Sequence, residues 1–252
     1  MTKFTALVPA LLRDRFKSIN RIILLMLVVI VVNGVMLAIQ NGVANIGSGF
    51  MSAIGFWSSL AFLIVVIRMA MYNESVYQSD AIRLIPASDT KIYLSSLSAT
   101  VLAMLYFGVV QAVINAIVAF ASGNWSNYFM SSDGGLSTMK VIGIVVMALL
   151  IFVTSIVMVW TTISLIHLII LSIGAFLPIG RQRLIRGILY IVVSLAIIRT
   201  AVGVFHIYGM VMSGLSVGWG TAFASLGAIV LVAVLESVAN ILLMNKFVET
   251  AQ

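Results

Sequence analysis

Two charged residues stand where charge is expensive. Arg199 lies in the middle of an apolar run at about residues 184–205, and Glu236 lies deep in another at about 221–244. In hydrocarbon each costs at least ~3 kcal/mol unless it is paired or hydrated. Such residues point either to a buried pair fixing two helices or to charges lining a hydrated pathway. Counting about 1.5 Å per residue along each run sets the two at heights that differ by roughly 10 Å, so both readings stay open. Gln111 and Asn115, four positions apart in a third run, share one helix face, where amides pack against neighbouring helices or contact a substrate. Other chemistry finds few residues. The chain has no cysteine and two histidines, His167 and His206, which lie on different segments without an adjacent carboxylate. No metal site and no catalytic residue is expected. No GxxxxGK[ST] or HExxH motif occurs, and Glu236 has no second carboxylate for dyad chemistry.

The elements that must position these residues are membrane helices. Of 252 residues 62% are hydrophobic and 8% charged, and the mean hydropathy is +1.21. That leaves too little polar surface to cover a soluble globule. The apolar residues fall in long runs rather than in alternating segments of about 10, which predicts an all-α bundle and excludes a barrel. The net charge of +7 lies next to apolar runs, where it sets orientation, so no nucleic-acid partner is expected.

Residues 4–19 place Phe4, Leu7, Val8, Leu11, Leu12, Phe16 and Ile19 at helical spacing, with Arg13, Asp14, Lys17 and Arg21 on the other side. Residues 1–21 therefore read as an interfacial elbow helix. Spans are expected at about 22–38, 50–71, 92–121, 184–205 and 221–244, and a loop at 122–138. The apolar stretch 141–178 allows one or two crossings. Two would put Arg181, Arg183 and Arg186 on the same side as that loop, against the positive-inside rule, so one crossing with an apolar extension is expected. The resulting topology has six transmembrane helices in one domain, both termini cytoplasmic and the 122–138 loop extracellular. Among Lys and Arg outside the spans, only Lys140 faces out.

The stretch 71–91, MYNESVYQSDAIRLIPASDTK, is the one long polar interval of mixed charge between two strongly apolar runs. Glu74, Tyr77, Asp80 and Arg83 recur every third residue along one drifting helix face, which suits contact with a partner. Pro86 ends the helical pattern, and Ser88 or Asp89 caps a new helix near Lys91. The plain alternative is a solvated loop between two spans.

An amphipathic amino-terminal elbow, six spans, both ends inside and RLIPASDTKIYLSS before span three together resemble the membrane permease subunits of ABC-2 type ATP-binding cassette exporters. The resemblance implies a bacterial plasma membrane protein whose 71–91 element docks, through Glu74, Tyr77, Asp80, Arg83 and Pro86, on a separate ATPase subunit. That subunit would hold ATP and Mg, with no cofactor on this chain. A second permease chain, the same or homologous, would complete the pathway, with membrane lipid around it and amphipathic cargo such as peptides, antimicrobials or lipids within. The long 141–178 segment departs from the simplest version of the pattern. Two other classes compete: an ion-coupled secondary transporter using Arg199 and Glu236, and a non-transporting membrane scaffold or sensor.

Overall fold

The computed structural model describes residues 4–41, 47–79, 82, 84–121, 138–174, 187–195, 198–199 and 218–248. Among these residues the chain is all-helical. The long helices are α1 (Phe4–Asn41), α2 (Gly47–Gln78), α3 (Asp89–Ala121), α4 (Thr138–Gly174) and α5 (Trp219–Leu243), the last running into a π-helical turn, Met244–Val248. Five helices are long and apolar enough to cross a membrane, and the architecture is that of a multi-pass helical membrane protein. The expected 122–138 loop lies outside the described residues except for Thr138. Of the expected span at 184–205, residues 187–195 are helical.

Two expectations meet a different geometry. The elbow and the first span are one continuous helix of 38 residues with Pro9 inside it, about 57 Å long against a ~30 Å hydrocarbon core. Neither Gly nor Pro occurs between Ala10 and Asn33, so nothing in the backbone breaks it at residue 21. In the stretch 71–91 the first helix stops at Gln78, eight residues before Pro86. The Ser79 carbonyl accepts the Ile82 N–H at 3.1 Å and the Ile82 carbonyl accepts that of Ile85 at 3.1 Å, with Ile82 helical again and Leu84 to Pro86 in turn and bend. The Ser88 carbonyl then takes the N–H groups of Lys91 and Ile92 at 2.8 and 3.1 Å and opens α3. The 141–178 stretch is largely one helix, α4, of 37 residues.

The chain forms two compact units, Met1–Leu136 and Ser137–Gln252. In the first, α1, α2 and α3 pack on one another. Their buried faces are Ile19, Ile23, Met26 and Ile30; Ile54, Ala61, Val65 and Met69; and Ala99, Ala103 and Phe107. These recur mostly at steps of three, four or seven, the repeat of one helix face. A Cβ on Gly34 would fall 2.8 Å from the Phe50 ring, so glycine lets α1 and α2 close there. In the second unit α4 packs on α5, with Ile156, Trp160, Leu168 and Ala233 buried. Large aliphatic residues such as Leu24, Leu63, Val109, Leu149 and Leu231 are exposed, the inverse of a soluble surface and the form expected against lipid.

Candidate functional site

The most organised polar site lies at the base of the first unit, where α1 starts, α2 ends and α3 starts. Arg15 is 1% exposed. Its guanidinium donates to the Ser96 carbonyl, to Ser96 Oγ at 2.7 Å and to Asn73 Oδ1 at 3.2 Å. Asn73 Oδ1 also accepts the hydroxyls of Ser96 and Thr100, each at 2.8 Å. Asn73, Ser96 and Thr100 are themselves buried. A cation removed from water must recover its hydration from fixed dipoles. Here a carbonyl, a hydroxyl and an amide on two neighbouring helices supply them, and one guanidinium clamps three helices together.

Above this base the polar contacts continue up the same unit. The Tyr106 hydroxyl donates to Asn20 Oδ1 at 2.8 Å, and its ring sits 4.9 Å from that of Phe16. Higher still, Ser58 donates to Gln111 Oε1 at 3.3 Å, and Gln111 Nε2 approaches Met26 Sδ at 3.1 Å. Gln111 thus touches both neighbouring helices, the packing role, whereas Asn115 is exposed.

The residues expected to contact a partner separate. Tyr77 is 3% exposed and Tyr93 1%, and their rings stack at 5.4 Å and 21°. This corrects the placement of Tyr77 on an outward face: its ring holds the end of α2 against the start of α3. Glu74 is half-buried and Pro86 exposed. Asp80 and Arg83 lie outside the described residues. Beside Pro86, Leu84 is 84% exposed, an apolar side chain held out at the turn.

In the second unit the Glu236 carboxylate on α5 faces α4. Thr161 donates to its Oε2 at 2.6 Å, and Thr162 lies 2.8 Å from Oε1 and 3.0 Å from Oε2. One turn on, Asn240 Nδ2 donates to the Thr161 carbonyl at 3.0 Å. Arg199 is exposed, and the carboxylate is met by the Thr161 and Thr162 hydroxyls. His167 Nδ1 lies 2.7 Å from the Tyr190 hydroxyl. Among the described residues no three His, Asp or Glu side chains converge as metal ligands would.

Arg15 is the residue that sequence reasoning missed, and a signal for it was present. Leu7, Leu11, Arg15, Ile19 and Ile23 follow one another at steps of four, so Arg15 stands in the apolar stripe and not on the charged face with Arg13, Lys17 and Arg21. Compared with protein-family profiles, curated proteins and solved structures, the chain finds no match.

Proposed function

We propose that this chain is the transmembrane permease subunit of an ABC-2 type exporter, moving amphipathic cargo outward under the power of a separate ATPase that docks on the turn between α2 and α3. The observation that carries the reading is the clamp beneath that turn. Arg15 joins α1 to Asn73, near the end of α2, and to Ser96, near the start of α3. Tyr77 and Tyr93 stack across the same junction. A force applied at the turn would then reach three long helices together, which is what a motor on another subunit needs. A second permease chain completes the pathway in this reading, and ATP and Mg reside on the partner. The test is purification of the native complex in mild detergent: a stoichiometric ATPase is expected, and its absence from every preparation that retains transport would remove the reading.

A second reading, an ion-coupled carrier, is favoured by one observation, the Glu236 carboxylate held by Thr161 and Thr162 inside a membrane helix pair. Transport that collapses with the proton gradient and needs no ATPase would select it.

A further inference from the structure

We infer that α1 carries a built seat for an anionic phospholipid. Arg13, Lys17 and Arg21 follow one another at steps of four and all three are exposed. At 3.6 residues per turn they fall within an arc of roughly 80°, and the same arc continues upward through Leu24, Val28 and Val35. These are 62%, 51% and 54% exposed. The opposite face of the helix holds Arg15, Ile23 and Ile30 against α2 and α3. One face of one unbroken helix therefore presents three cations and, directly beyond them, a track of aliphatic side chains.

That sequence of groups matches a phospholipid in chemistry and in order. A phosphate needs cationic donors at the headgroup level, and its acyl chains need an apolar track running from there into the hydrocarbon. A free phosphate would use the cations and have no use for Leu24 and Val28. An acidic protein segment would likewise leave the aliphatic track uncovered. Asp14 is exposed in the same helical turn and pairs with Lys17 at 3.8 Å, which lowers the local charge without reversing it. A zwitterionic lipid fits less well because its headgroup brings its own cation to the three already present. The inference rests on the membrane architecture and is independent of the exporter reading.

The test uses the purified full chain in a non-ionic detergent, with phosphatidylglycerol and phosphatidylcholine of identical acyl chains as probes and native mass spectrometry as the readout. Phosphatidylglycerol is expected to bind at least about tenfold more tightly than phosphatidylcholine, and more weakly as salt rises. R13Q/K17Q/R21Q is expected to lose on the order of 100-fold in phosphatidylglycerol affinity, at roughly fivefold per cation. The charge-preserving R13K/R21K is expected to retain it, which separates the charge from the fold. R68Q/K246Q, altering exposed cations elsewhere, is expected to bind as the native chain does. Equal affinity for the two lipids, an unaffected triple variant, or an equal loss in R68Q/K246Q would overturn the seat. Displacement of the lipid by millimolar inorganic phosphate would overturn the lipid as occupant, and so would a second copy of the chain covering the stripe in lipid-free detergent.

Discussion

Arg15 and Asn73, 58 positions apart in the chain, meet at 3.2 Å inside the first unit, and the amide oxygen that accepts the guanidinium also accepts two hydroxyls. The two partners are not equivalent. If Arg15 is replaced by Met, Asn73 Oδ1 keeps the Ser96 and Thr100 hydroxyls and no buried charge remains. If Asn73 is replaced by Ala, a buried cation loses an acceptor and two hydroxyls lose theirs. Asn73→Ala is therefore expected to destabilise by about 2–4 kcal/mol and Arg15→Met by about 1–2 kcal/mol, because an orphaned buried charge costs more than an absent one. Thermal or denaturant unfolding in detergent measures both. The double variant is expected to be less destabilised than the sum of the two single changes, and strict additivity would show that the contact does not govern this junction.

At Glu236 the expected coupling runs to α4. A double-mutant cycle pairing Glu236→Gln with Thr162→Val is expected to give an interaction of about 1–2 kcal/mol, since the threonine hydroxyl lies within 3.0 Å of both carboxylate oxygens. The cycle pairing Glu236→Gln with Arg199→Leu is expected to be additive within about 0.5 kcal/mol. The reverse pattern would restore the ion pair as the reason for both charges.

Gly143 stands where a Cβ would lie 2.8 Å from the Trp219 ring. Gly143→Ala is expected to push the indole aside and cost about 1–2 kcal/mol, toward the low side of overpacking because Trp219 is 47% exposed and can move into lipid. Combining it with Trp219→Ala is expected to abolish the further loss. Unfolding midpoints of the two single variants and the double variant decide the matter.

How far the chain could be read from its residues differs from element to element. Apolar runs and their bounding polar residues place α1 to α5 well, because length and hydropathy are local properties. Helix continuity was harder: the charged face of residues 4–19 looks interfacial, yet neither Gly nor Pro occurs between Ala10 and Asn33 to break the helix there. Ser88 and Asp89 marked the start of α3 correctly, a capping signal contained in a few residues. Pro86 stands in the bend before α3, but α2 itself stops earlier, at Gln78, and Ile82 is helical again between them. Pairings between helices were the least legible. Arg15 with Ser96 and Thr161 with Glu236 join positions 81 and 75 residues apart, and periodicity reports which face is apolar but not which helix will cover it. Tyr77 shows the same limit, since a tyrosine on a polar stretch reads as exposed until Tyr93 is seen beneath it.

Leu84 supplies a test of the proposed docking surface that does not disturb the clamp. It is 84% exposed in the connection between α2 and α3, so little packing in its own unit is lost when it is shortened. A large apolar side chain left uncovered near an exposed proline is the kind of anchor that fills a pocket on a partner and carries much of the binding energy. Leu84→Ser is therefore expected to leave the unfolding midpoint of the isolated chain within about 0.5 kcal/mol of native. In the complex the same change is expected to weaken retention of the ATPase by roughly 1–3 kcal/mol, a loss of about 5- to 150-fold. Tyr77→Ala is expected to do the opposite, lowering the stability of the isolated chain because it empties a stacked, buried position. Measuring both variants for stability and for ATPase retention separates a surface that binds from a core that supports it. Full ATPase retention by Leu84→Ser would move the docking surface off this turn.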